Sequence, residues 1–225
     1  MIWIEFLVRG LVLNTVGGSC IFCVWYILSR RLEKANDIQL FYRLLKVTVF
    51  FFLIPVVPVL MTTGTQYGSG WDGRFYLSSG VIIHVLRIIW LAWLVGFYRQ
   101  LAKLLHWFRK CREIRRHAVA VGSVGDALIE ECCARLGMHP QQVMVRYSSV
   151  IDTPLVYGFW RPEIYFPLLC TMSVPEKRAA LLHEMNHLRS GDTRWRYLSE
   201  LVCCIHWFNP LAKRLSQEME EWSEA

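Results

Sequence analysis

Apolar residues in the first hundred positions arrive in three blocks, each too continuous for the striped face of an amphipathic surface helix. The first runs from Phe6 to Leu28 and is broken only by Arg9 near its start. The second runs from Leu44 to Met61 and contains Pro55 and Pro58, and the third from Ser79 to Tyr98. A helix of about 20 apolar residues crosses the hydrocarbon of a bilayer. The pattern therefore predicts three transmembrane helices over 6–28, 44–61 and 79–98, with the prolines kinking the second. Gly17, Gly18 and Ser19 predict a patch of close helix packing. The first block has neither a basic leader nor a small-x-small site, so it does not read as a cleavable signal peptide.

Beyond Tyr98 the pattern changes character. Residues 99–118 read as a basic helix continuing from the third span, followed by a small-residue hinge over Val119–Val124. Ala127, Leu128, Cys132 and Leu136 mark an amphipathic helix stopped at Gly137. Val143–Tyr147 alternates like a strand, and two more short β runs, Leu155–Phe159 and Glu163–Phe166, flank Arg161-Pro162. Ser173-Val-Pro-Glu176 is a capping box with an early proline, opening a helix that runs to about Arg189 and stops at Ser190-Gly191. The expected architecture is an integral membrane α-helical domain over 1–98 followed by a cytoplasmic α+β domain over 99–225.

Charge fixes an orientation for this plan. The 225 residues carry 25 Lys+Arg against 18 Asp+Glu, and 54% are hydrophobic, which excludes a disordered chain. Arg30, Arg31, Lys34, Arg43 and Lys46 crowd the first loop, whereas Thr62–Ser78 holds only Arg74 and Asp72. Arg99, Lys103, Arg109, Lys110, Arg112, Arg115 and Arg116 follow the third span. The positive-inside rule then sets the N-terminus outside and everything after Tyr98 in the cytoplasm of a multi-pass cell-membrane protein. Basic charge flanking apolar blocks suits a bilayer, and no direct nucleic-acid contact is expected. Within the third span, His84 and Arg87 lie near the outer end, where an arginine reaches the headgroups. The eight cysteines read as free thiols, since Cys132/Cys133 and Cys203/Cys204 are adjacent pairs and Cys20/Cys23 fall inside an apolar block.

The chemistry lies in the capped helix, which contains His183-Glu184-Met185-Asn186-His187. Positions 183 and 187 share one helical face, one turn apart. Two imidazoles so spaced hold a zinc ion, and the intervening Glu184 serves as general base toward a water whose pKa the metal lowers. Asp192, five residues past His187, is placed to accept that ligand's second N–H. A third protein ligand is needed, and Glu200, His206, Glu218, Glu220, Glu221 and Glu224 are all candidates by spacing. His206, beside Trp207 and Phe208, reads better as a satisfied core or membrane-interface histidine.

Three segments carry a resemblance: Pro154-Leu-Val-Tyr-Gly158-Phe-Trp-Arg-Pro162-Glu-Ile-Tyr-Phe-Pro167, His183-Glu-Met-Asn-His187-Leu-Arg-Ser-Gly-Asp192, and His206-Trp-Phe-Asn-Pro210-Leu. With the three spans before them, the chain resembles the BlaR/MecR family of membrane-embedded zinc metallopeptidases, the antirepressor signal transducers of β-lactam resistance. The resemblance implies a gluzincin-like protease domain, distantly similar to the CaaX prenyl proteases, lying between a third and a fourth span. It also implies a glutamate as third zinc ligand on a helix after Trp207-Phe-Asn-Pro210. Glu224, 37 positions after His187, fits that spacing best, with Glu221 in reserve. The chain stops before the implied fourth span. The implied activity is a zinc endopeptidase with a cytoplasmic active site, cleaving a transcriptional repressor in antibiotic or envelope-stress signalling. Val156, Tyr157, Gly158 and Phe159 are expected to pair with an extended substrate. Expected partners are a protein substrate, the bilayer and a second copy of the chain. The alternatives are a housekeeping membrane protease of the CaaX type and a non-catalytic signalling or scaffold module.

Overall fold

The computed structural model describes residues 2–32, 38–54, 80–121, 126–169 and 172–224. They fall into two compact units, one of residues 1–102 with 198–225 and the other of residues 103–197. The boundary was expected at residue 98, and the second unit begins at Lys103. The stretch 198–225, expected with the cytoplasmic domain, instead clusters with the apolar helices, because its aromatic and polar side chains bond there.

The first unit is built on helices α1 (Ile2–Leu32), α2 (Ile38–Leu53) and the first part of α3 (Gly80–Arg116). Two helical segments, Gly10–Arg31 and His84–Arg116, are long and apolar enough to cross a membrane. Helix α2 begins six residues ahead of the expected span because Phe41, Leu45, Thr48, Val49 and Phe52 form one buried stripe. The rest of the second span, with Pro55 and Pro58, and the loop 62–78 lie outside the described residues. Large apolar side chains stay uncovered on all three helices, among them Val16, Val24, Val47, Ile88 and Leu91, and Val95 is 70% exposed. A surface of that kind belongs in lipid. His84 and Arg87 are exposed on the first turns of α3.

The glycine patch works as expected. A Cβ at Gly18 would stand 2.7 Å from the Phe52 ring, so α1 and α2 approach at van der Waals distance there. Helix α6 (Asp192–Ile205) turns at His206–Phe208 into α7 (Pro210–Ser223), and this turn is held by all three apolar helices. Trp93 donates its indole N–H to the Ile205 carbonyl at 3.0 Å, and Trp207 donates to the Trp93 carbonyl at 3.2 Å. Gly96 leaves room for the Trp207 ring, which any Cβ there would strike. Asn209 caps α7 through Leu211 N–H at 3.0 Å and donates to Ser19 Oγ at 2.8 Å.

The second unit is a four-stranded sheet with helices α4 (Ala127–Leu136) and α5 (Val174–Ser190). Strands β1 (Ala118–Val121), β2 (Val145–Ser148), β3 (Leu155–Tyr157) and β4 (Glu163–Pro167) stand in the order β1-β2-β4-β3. The β2–β4 pair is parallel and the two outer pairs are antiparallel. The hinge expected over 119–124 is contradicted at its start, where Val119 faces Tyr147 and Val121 faces Val145 in β1. The valine alternation there has a strand's period, which the small alanines obscure. Residues 122–125 are outside the described set.

Ile129, Cys132 and Cys133 of α4 pack on Val145, Ile164 and Phe166 of the sheet and on Leu181 and Met185 of α5. The Asp126 side chain caps α4 through Leu128 N–H, and Gly137 ends it at φ 64°. Burial raises the Cys132 and Cys133 thiols above their ordinary value, so they are inert packing groups. The seven described cysteines are all free. At the sheet's far end, Glu163 is buried and takes Arg146 Nε at 2.7 Å, Tyr165 Oη at 2.8 Å and Arg115 Nη2 at 3.2 Å. Burial pushes its carboxyl up, but the Arg146 and Tyr165 hydrogen bonds and the two arginine charges outweigh that and hold it below the usual carboxylate range.

Candidate metal centre

Helix α5 is positioned by its buried face. Leu181 and Met185 point into the core, and each histidine follows one of them by two residues, about 200° further round the helix. His183 and His187 therefore project from the opposite side, His183 exposed and His187 half-buried. The helix start is fixed by Glu176, whose carboxylate accepts the Ser173 backbone N–H and hydroxyl, each at 2.7 Å.

The two imidazoles converge. Their rings stand 4.6 Å apart at 88°, and the two Nε2 atoms are 3.1 Å apart. The other nitrogen of His187, Nδ1, lies 3.1 Å from Asp192 Oδ2. A carboxylate only accepts, so Nδ1 carries the proton and Nε2 presents its lone pair toward His183. Asp192 reaches His187 because Gly191 adopts φ 69°, a left-handed cap that turns the chain straight into α6. Asp192 is buried and also receives the Ser190 hydroxyl, which bonds the Asn186 carbonyl as well at 2.9 Å. Sequence reasoning found Asp192 but missed Ser190, whose role is visible only once the helix end is folded.

The donor set fits zinc. Two nitrogens each about 2.0–2.1 Å from a tetrahedral ion stand roughly 3.3 Å apart, close to the separation here. Glu184 is half-buried beside His183 on the same helix.

The third-ligand candidates stand in different surroundings. Glu218 is fully buried, with Oε1 accepting from Arg30 and Arg214 and Oε2 from Trp222. His206 is buried as well, its Nε2 facing the Phe52 carbonyl at 3.0 Å and its Nδ1 the Thr15 hydroxyl at 2.9 Å. Both ring nitrogens are engaged, which matches the reading of a satisfied histidine. Glu200 accepts the Ser216 hydroxyl at 2.9 Å, and Glu221 lies 3.5 Å from Arg214. Glu220 is exposed on α7, and Glu224 is exposed one residue past the end of that helix, its N–H on the Glu221 carbonyl.

The expected substrate segment divides in two. Val156 and Tyr157 lie in β3, an edge strand of the sheet. Gly158 leaves the strand at φ 127°, its N–H directed to the Tyr197 hydroxyl at 3.4 Å, and the Phe159 carbonyl accepts from Arg194 at 3.3 Å. A Cβ at Gly158 would meet the Arg161 carbonyl at 2.5 Å, so the turn requires glycine. Tyr197 also packs on Phe159, Trp107 and Phe108, an aromatic cluster that pins this turn.

Comparison with known proteins matches residues 5–224 to the family described as BlaR1 peptidase M56. The methicillin resistance mecR1 proteins of Staphylococcus aureus (strain Mu50 / ATCC 700699) and Staphylococcus epidermidis are each 27% identical over 152 residues, covering 67% of this chain and 26% of theirs. The regulatory protein BlaR1 of Bacillus licheniformis is 30% identical over 128 residues, 56% of this chain and 21% of its own. The chain thus aligns with about a quarter of the length of these relatives. Since the family match runs through both compact units and the histidine helix, the chain belongs to the BlaR1 peptidase M56 family.

Proposed function

We propose that the chain is a membrane-bound zinc endopeptidase with a cytoplasmic active site, acting on a regulatory protein such as a transcriptional repressor. The observation that carries this reading is the pair of Nε2 atoms 3.1 Å apart, with the tautomer of His187 set by Asp192. In this reading His183, His187 and Glu224 hold the ion, as the family resemblance implies. Glu224 is chosen because its spacing agrees with the family resemblance. A bound zinc ion supplies Lewis acidity, polarising the scissile carbonyl and acidifying water. Glu184 takes the proton from the attacking water at its carboxylate and returns it to the leaving amine. Asp192 keeps His187 oriented through this cycle, and Ser190 keeps Asp192 in place. Among the described residues the outer edge of β3 carries no strand, which gives an extended substrate a strand to add to, over Leu155–Tyr157. The arginines at the end of α1 and along the second half of α3 support the cytoplasmic placement, and the relatives' names, methicillin resistance and regulation, support a signalling substrate.

The test compares metal content and cleavage in protein held in lipid nanodiscs. His183→Ala is expected to strip bound zinc, whereas Glu184→Gln keeps zinc and abolishes cleavage of a peptide library. Zinc retained by His183→Ala, or cleavage by Glu184→Gln, would overturn the assignment.

A further inference from the structure

Glu218 is a carboxylate with no exposure at all, on a helix whose other buried residues are Ala212, Leu215 and Met219. An ion so buried is costly unless every lone pair is used, and a leucine would fill the space more cheaply. Here they are used. Arg30 Nη2 reaches Oε1 at 3.1 Å from the last turn of α1, and Arg214, one turn earlier on α7, reaches it at 2.5 Å. Trp222, one turn later, donates to Oε2 at 3.0 Å. The same indole packs edge-on against Trp25 of α1 at 5.7 Å and tilted on Phe41 of α2 at 6.1 Å. Asn209 ties the other end of α7 to Ser19. Helix α7 is therefore bolted to α1 at both ends, with the charged bolt in its last half.

Glu224 lies two residues beyond Trp222, past the last helical residue. A side chain at a helix end frays unless the turn before it is held. We infer that Glu218 is a positioning residue for Glu224: through Arg30 and Trp222 it fixes the final turn of α7, and so the direction in which that carboxylate is offered to a metal. This rests on the zinc-peptidase reading above and adds to it a control point at the inner end of α1, far along the chain from the histidine helix.

The experiment uses the whole chain in nanodiscs, with zinc affinity measured against a competing chelator. Glu218→Gln is expected to weaken zinc by about 10–100-fold, as loss of an outer support does, and to lower the unfolding temperature of the first unit, since Arg30 and Arg214 lose their charged partner. Trp222→Phe keeps the ring and loses only the N–H, and should weaken zinc by less than tenfold. Adding Arg30→Met to Glu218→Gln should bring no further loss, since both act on one contact. Hydrogen exchange of the 219–224 amides in metal-free protein gives an arm independent of zinc, and Glu218→Gln should speed it at least tenfold while α1 amides stay protected. Zinc affinity within twofold of wild type in both single variants overturns the inference. Should wild type bind no zinc, the peptidase reading fails, and the exchange arm alone decides the clamp: unchanged protection of 219–224 refutes it.

Discussion

Replacing Asp192 tests whether the carboxylate behind His187 serves the metal or only starts the next helix. Its Oδ2 lies 3.1 Å from Nδ1, is buried, and fixes the proton on that nitrogen. A hydrogen bond to a charged group is worth about 1.5–3 kcal/mol against about 0.5–1.5 for a neutral pair. Asp192→Asn can still offer an amide oxygen to Nδ1–H, so it loses only the difference, about 1–1.5 kcal/mol, or roughly tenfold in zinc affinity. Asp192→Ala loses the whole contact and frees the ring to rotate, which predicts a loss nearer 100-fold. Chelator competition at fixed pH reads both numbers, and thermal melts separate them from any weakening of α6. The ordering matters as much as the size. If Ala and Asn variants both bind zinc within twofold of wild type while melting lower, Asp192 is a helix-starting residue and the tautomer argument is wrong.

Three further outcomes follow from other parts of the molecule. Glu163→Gln should cost the 103–197 unit about 3 kcal/mol, because Arg146, only 20% exposed, is left with a neutral partner; denaturant melts of that unit check it. Since the folded Glu163 carboxyl titrates below its ordinary value, its stabilisation is present above about pH 4.3, the unfolded value, and is lost as pH falls through the lower folded one. The Gln variant should therefore lack that part of the wild type's acid sensitivity, and an unchanged acid transition would count against the ion-pair account. Gly18→Ala should destabilise the α1–α2 pair by about 1 kcal/mol, the overpacking against Phe52 exceeding the gain in helix propensity. Gly10→Ala, with open space around its Cβ, should be neutral or slightly stabilising in the same melting assay.

The parts of this protein that sequence revealed are those governed by local rules. The histidine pair, its capping box and its glycine stop depend on spacing within one helix, and α5 obeys all three. Asp192 was legible because five residues and one glycine suffice to fold it back on His187. What could not be read depends on contacts between distant segments. The small residues 118–121 form a strand only because Val145–Ser148 lies alongside. Six acidic or imidazole groups were candidates by spacing for a third ligand, and two of them are held by distant segments: Glu218 meets Arg30 across 188 positions, and His206 meets Phe52 across 154. Hydropathy located the apolar helices but gave no sign that Trp93 and Gly96 are shaped around the 206–209 turn.

The partition of the chain also sets an order of events during synthesis. The unit of residues 103–197 is continuous and can close as soon as Tyr197 has left the ribosome. The unit that precedes it cannot. Its α1, α2 and α3 are made first, yet Asn209, Glu218 and Trp222 must arrive about a hundred residues later to satisfy Ser19, Arg30 and the rings of Trp25 and Phe41. Until then Phe52 presents a carbonyl that His206 has yet to reach. The nascent helices thus wait, incomplete, while a whole second unit is translated and folded. A ribosome paused just before codon 198 would leave them without their last layer.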